Sequence, residues 1–312
     1  MAEDERMEIL KKLERGEISA ARAEELLEAL ETGVEAEEPA AKVTTDAFTD
    51  ITEWAPDGAI SELKLSNFVG DVVARAGEQT LVVATVKARA RDAAAAAKLF
   101  EKVELSFDEK KGKAHVKADM TKSILDVFRG AKVSVDFDVT LAAEVGFVAS
   151  YGTGSLKTEG VATVRANGGN GRVETDAADV DVNLGNGKVL SRGPRELTVN
   201  GGNLRLYVDE AAGLEKFRFN AGNGKVELNA SRLAENAEYA LNFGNGKFVG
   251  TFGRRLTDCV IRIESLAGSL ATDIPFDKKG TTMVFADGEA KANVKVNAAY
   301  SNVVITVKED KR

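Results

Sequence analysis

The chain has 312 residues, 44% of them hydrophobic and only 4 proline, which is enough to bury a sizeable core and, by length alone, suggests about two domains. No window approaches the roughly 18 consecutive apolar residues of a membrane-spanning helix, and the lone cysteine, Cys259, excludes an intramolecular disulfide framework and fits a reducing compartment. The net charge of −8 is unevenly shared: residues 1–58 hold 17 acidic and 6 basic side chains, whereas the remaining 254 hold 33 and 36 and are mildly basic.

In chain order, Met7, Leu10 and Leu13 recur at helical spacing, and Gly16 is a stop signal. Ser19 caps a second predicted helix, which carries Ala23, Leu26, Leu27 and Leu30 on one face and ends at Gly33. Two helices this short make no stable core alone. A helical hairpin over 1–33 is therefore expected to dock or to pair with a copy of itself, giving a homo-oligomer through Met7, Leu10, Leu13, Leu26, Leu27 and Leu30. The acidic start is no secretory signal, so a cytoplasmic protein is expected, with envelope association left open. Residues 34–58 are acidic, alanine-rich and aperiodic, as in a linker.

From residue 59 to 312 the period is two. Leu63, Leu65 and Val69 mark one strand, and residues 80–90 a second, rich in β-branched side chains. Residues 92–102 read as a helix capped by Asp92. Strands at 103–107 and 114–118 frame a turn at residues 109–112, and residues 133–141 alternate again.

A six-residue motif, Asn-x-Gly-Asn-(Gly or Leu)-(Lys or Arg), then occurs five times between 167 and 247. Its paired asparagines are Asn167 and Asn170, Asn183 and Asn186, Asn200 and Asn203, Asn220 and Asn223, and Asn242 and Asn245, the second advancing by 16, 17, 20 and 22 residues. Degenerate copies flank them at 152–157 and 266–270. Val182, Leu184 and Val189, and their counterparts in each copy, are predicted to face inward. Phe217, Phe219, Phe243, Phe248 and Phe252 fall in the wider, later copies, the pattern of a tapering structure.

Glycine and asparagine tolerate positive φ, so the motif reads as a corner. Hairpin turns and solenoid corners both fit its register. The solenoid is preferred, because stacked corners would let the asparagines form hydrogen-bonded ladders. The fold class is thus mainly β, a β-solenoid with a small N-terminal α-hairpin. Stacking would also align the last motif position, Lys157, Arg172, Lys188, Arg205, Lys225 and Lys247, into a basic ridge. Adjacent cations one strand apart repel by roughly 1 kcal/mol in water, so Glu174, Glu227, the acidic linker or an external polyanion is expected to offset them.

No catalytic, metal or cofactor site is expected. His115 is the only histidine and sits in an alternating strand. The Gly-Asn-Gly-Lys segments lead into Val or Phe, not into the Ser/Thr and helix of a phosphate loop. Asp176, Asp179 and Asp181 could serve glycoside chemistry, or simply form a solvated strand face.

The segments Ser61–Leu65 with Gly70–Val72, Ala88–Arg91 before an alanine-rich helix, Val133–Val139 and the repeats resemble the putative-adhesin β-strand-repeat family, over roughly residues 58–308. That resemblance implies β-solenoid repeats and no assigned function. Residues 7–30 are similar to SHOCT-like oligomerisation modules, and the pairing resembles bacterial envelope-stress proteins. The function expected first is a self-associating scaffold of the envelope-stress response. The alternative is an adhesin-like module whose basic ridge binds an anionic envelope polymer or lipid; a polysaccharide-acting enzyme comes last. No specific nucleic acid partner is expected.

Overall fold

The computed structural model describes residues 46–120, 132–234, 236–253, 259–272, 277–279, 282–285 and 292–307. The predicted helical hairpin, with Met7 to Leu30, lies outside the described residues. What is described is mainly β, with strands paired mostly in parallel. Among the described residues, no helix is long and apolar enough to cross a membrane.

The repeats form one long strand each: β8 (Gly146–Glu159), β9 (Thr163–Thr175), β10 (Asp179–Arg192), β11 (Glu196–Asp209), β12 (Lys216–Ala230) and β13 (Glu238–Phe252). Each pairs in parallel with the next, and from β9 to β13 the register sets every asparagine and cation of the motif on its own counterpart, Asn186 on Asn203 and Lys188 on Arg205. Parallel pairing rules out the hairpin alternative, because a two-residue turn joins antiparallel strands. The four strands from β10 to β13 are 14 or 15 residues long, whereas the connections before them widen from 176–178 and 193–195 to 210–215 and 231–237. The growing period therefore lies in the connections and hardly in the strands.

Residues at the start of the described chain extend this parallel ladder. β2 (Glu62–Val69) and β3 (Val72–Gly77) lie along the two halves of β8, and β6 (Lys113–Met120) and β7 (Lys132–Ala142) lie beyond them. Antiparallel strands then close the ladder: β4 (Leu81–Ala90) on β7 and β5 (Val103–Lys110) on β6. The β5–β6 turn needs positive φ at Lys111 (52°) and Gly112 (70°), the reason glycine stands at 112. Between β4 and β5 runs α1 (Ala93–Phe100), capped as predicted by Asp92, whose Oδ1 accepts a 2.7 Å hydrogen bond from the Ala95 N–H. Residues 46–54, expected to belong to the linker, form β1 (Asp46–Trp54) against β4, and Trp54 stacks on Phe107 with ring centroids 5.6 Å apart.

The other end departs from chain order. β17 (Ala292–Val307) pairs in parallel with both β13 and β14 (Cys259–Thr272), so the last strand lies between two earlier ones. β15 (Asp277–Lys279) and β16 (Thr282–Phe285) continue antiparallel from β14. Antiparallel pairs thus follow the parallel run at both ends, where an open parallel edge would invite further strands.

The core follows the predicted inward positions. Val182, Leu184, Val189, Phe217, Phe219, Leu241, Phe243, Phe248 and Phe252 are all buried, and Ala221 packs against them half-buried.

Candidate functional site

Within each repeat strand the in–out alternation shifts phase once. Leu184 faces in, Gly185 and Asn186 are both exposed, and Val189 faces in again. The register passes over Gly169, Gly185, Gly202, Gly222 and Gly244 at the same place. The motif does not adopt the positive φ expected of a glycine- and asparagine-rich corner. Among the described residues, those other than glycine with positive φ are Lys111, Glu144, Glu210 and Asn236, all in connections, and none of the glycines in the five motif copies lies in the left-handed range. Glycine is required instead by close approach: a Cβ on Gly187 would sit 2.1 Å from the Gly171 carbonyl oxygen, and one on Gly246 would sit 1.9 Å from that of Gly224.

The asparagines form two ladders along the stack. In the first, Asn183 donates to Asn167 (3.2 Å), Asn200 to Asn183 (2.9 Å), Asn220 to Asn200 (2.8 Å) and Asn242 to Asn220 (2.9 Å). In the second, Asn186 donates to Asn170 (2.9 Å), Asn203 to Asn186 (2.6 Å), Asn223 to Asn203 (2.6 Å) and Asn245 to Asn223 (3.3 Å). Every bond runs in one direction, Nδ2 to the preceding Oδ1. An amide has two N–H donors, so Asn186, Asn203, Asn223 and Asn245 of the second ladder each keep one for solvent or a ligand, whereas Asn183 of the first gives its second to Asp181. Asn297 of β17 continues the first ladder by donating to Asn242 at 2.7 Å. Sequence reading missed it, although Val294 and Val296 precede it in the repeat pattern and Tyr300 stands three residues on, where a second asparagine would.

Two residues beyond the second ladder runs the cationic column: Arg172, Lys188, Arg205, Lys225 and Lys247, each paired in register with the next. Lys157 does not belong to it. Ser155 pairs with Arg172, whereas Lys157 pairs with Glu174, two residues further along. The copy at 152–157 has no asparagine pair to anchor it, which is why counting from its glycines slid the alignment.

The next outward column tempers the charge. Glu174 binds Arg172 at 2.8 Å and Glu227 binds Lys225 at 2.5 Å, holding the Lys225 ammonium above its ordinary pKa. The Lys188 ammonium lies over the Tyr207 ring, 4.6 Å from its centroid, and Lys225 approaches the same ring at 5.8 Å. Among the described residues, no carboxylate pairs with Arg205 or Lys247.

Between the second ladder and the cations lies a groove of about 400 Å³. Asn203, Asn223 and Asn245 form one wall, Arg205 and Lys225 the other, and Gly187, Leu204, Gly224 and Gly246 the floor. It presents spare amide donors and cations along a line, a surface complementary to extended anions.

The other candidates have structural partners. Asp176 accepts from the Gly160 N–H at 2.8 Å, Asp179 pairs with Arg195 at 2.8 Å, and Asp181 accepts from Asn183 at 3.3 Å. His115 is half-buried, with Nε2 3.1 Å from the Ser66 hydroxyl. Cys259 begins β14, and its side chain lies outside the described residues. Among the described residues, no group of three or more His, Cys, Asp or Glu is placed to hold a metal ion.

No protein-family model matches the chain, and no curated protein does. Solved structures with some similarity include a putative cell adhesion protein from Clostridium sporogenes ATCC 15579, with 13% identity and a TM-score of 0.29, covering 84% of this chain and 100% of that one. A putative adhesin from Parabacteroides merdae ATCC 43184 has 13% identity and a TM-score of 0.31, covering 83% and 96%. Another from Bacteroides fragilis NCTC 9343 has 8% identity and a TM-score of 0.32, covering 83% and 97%.

Proposed function

We propose that this chain is a non-enzymatic, adhesin-like binding module, wound as a β-solenoid, whose groove holds an extended anionic polymer. Connection length supports the winding. β10 and β11 are parallel and 14 residues long, yet only residues 193–195 join them. A straight strand of that length runs about 46 Å, and three residues reach about 10 Å. A strand folded back at its phase shift removes the conflict.

One observation carries the binding reading: five cations in register beside a row of spare amide donors. A lipid surface suits it less well than a polymer, because a plane would also press on the acidic side chains at 174 and 227, whereas a linear chain follows the single basic column. Immobilised dextran sulfate is the simplest probe. Binding is expected to weaken with salt. Replacing all five cations with Gln should weaken it roughly 10- to 100-fold, each exposed contact contributing about 0.5 kcal/mol. Salt-insensitive binding, or binding unchanged in that variant, would overturn the proposal.

Self-association through residues 1–33 belongs to the same reading, since several modules on one polymer gain avidity. Light scattering on a variant lacking residues 1–33 should give the monomer mass where the full chain gives a discrete oligomer. An unchanged oligomer removes that role for the helices.

A further inference from the structure

We infer that the polymer is a polysaccharide whose carboxylates face the protein on every second sugar residue. This rests on the binding reading just given and narrows its ligand. The five cations are not equivalent, and their differences alternate along the stack. Lys188 and Lys225 are both turned onto the Tyr207 ring, and Lys225 is also held by Glu227. Arg205 and Lys247, on alternate strands, have no carboxylate partner among the described residues. Arg172, on the same alternation, is paired only with Glu174, and both of those side chains are about half exposed. Arg172, Arg205 and Lys247 are exposed where Lys188 and Lys225 are half-buried, so the cations most open to a ligand recur every two strands, about 9.6 Å apart.

That repeat discriminates between linear polyanions. In an extended 1,4-linked chain of uronic acids each pyranose residue advances by about one strand spacing. Alternate residues turn opposite edges to a surface, so the carboxylates facing one side recur every second sugar, commensurate with the available cations. A polyphosphate carries charge far more densely than one anion per two strands, and a duplex nucleic acid is too wide for a single basic column with Glu174 and Glu227 beside it. The guanidinium forks of Arg172 and Arg205 match a carboxylate in bidentate fashion. Their neighbours on the second ladder, among them Asn203, offer a spare N–H, and the Oδ1 a second lone pair, to the sugar hydroxyls. The floor at Gly187, Gly224 and Gly246 lets a ring edge approach the backbone.

The test is a calorimetric titration of the full chain with 1,4-linked oligouronides of graded length, beside dextran sulfate and polyphosphate, with circular dichroism to check each variant's fold. Affinity should climb with length to about five sugars, the span from Arg172 to Lys247, and then level off. Arg205→Gln should weaken oligouronide binding roughly tenfold, and Lys188→Gln should change it less than about twofold. If the three polyanions bind alike with no plateau, or if Lys188→Gln costs as much as Arg205→Gln, the uronide assignment falls and the groove remains an anion site. If no polyanion binds at all, the binding reading falls with it.

Discussion

A single histidine shows how burial acts at the residue scale. His115 lies in β6 with Ser66 against its ring, and burial, reinforced by the nearby Lys64 and Lys117 charges and opposed by Asp108, holds its imidazole below the ordinary value of 6.5. Below pH 6.5 the unfolded chain takes up a proton that the native chain resists, so stability falls with pH there, while above 6.5 its contribution is complete. Melting temperatures from pH 7.5 down to 5 should therefore drop more steeply for the natural chain than for His115→Gln. Equal slopes would mean that His115 is not the titrating group. The motif asparagines work differently, through orientation: in the second ladder Asn186, Asn203, Asn223 and Asn245 each give one N–H to the preceding asparagine and keep the other. An alanine at Asn203 would break two bonds of 2.6 Å at once.

Between strands, a volume exchange explains the one repeat that departs from Asn-Gly. At the inward position after the first asparagine stand Tyr151, Gly168, Leu184, Gly201, Ala221 and Phe243 in successive strands. Tyr151 and Leu184 fill the space that the neighbouring glycines leave: a Cβ on Gly168 would meet both at 2.7 Å. In the third copy the large residue moves across the phase shift: Gly201 is small and Leu204, buried, takes the volume, its Cδ1 2.9 Å from where a Gly201 Cβ would be. Leu204→Ala should then cost about 2–5 kcal/mol in chemical denaturation, because both neighbouring strands are glycine at that position and cannot fill the void. A loss under about 1 kcal/mol would show that the site collapses.

This element scale is where the sequence was most legible. Spacings of 16, 17, 20 and 22 residues, with one inward register, were enough to anticipate which residues would stack and that asparagines would bond across strands. Backbone conformation was not legible, since glycine serves positive φ and close approach equally well and only the neighbouring carbonyl distinguishes them. β1 escaped because its alternation is weak, with Ile51 exposed. The offset of Lys157 escaped because Ser155 replaces the anchoring pattern.

At the scale of the whole molecule, the position of β17 was out of reach of periodicity, which reports neighbours along the chain. Val294, Val296, Val303 and Ile305 are buried in it, and Asn297 joins the first ladder. Removing residues 292–312 would strip β13 of its partner strand and end the ladder at Asn242. The truncated chain should melt well below the full chain or associate through the bared β13 edge, as calorimetry and light scattering would reveal. Unchanged melting and mass would mean that β14 takes the vacated place without loss.

The insertion of β17 also bears on the order of events during synthesis. Strands β8 to β13 can add one after another as the chain leaves the ribosome, each meeting a partner already made. β14 cannot reach its final neighbour, which is encoded about thirty residues later. Until then the strand it can meet is β16, with which it pairs antiparallel. β17 thus joins two parts, β13 with the strands before it and β14 with β16, that each have a partner without it.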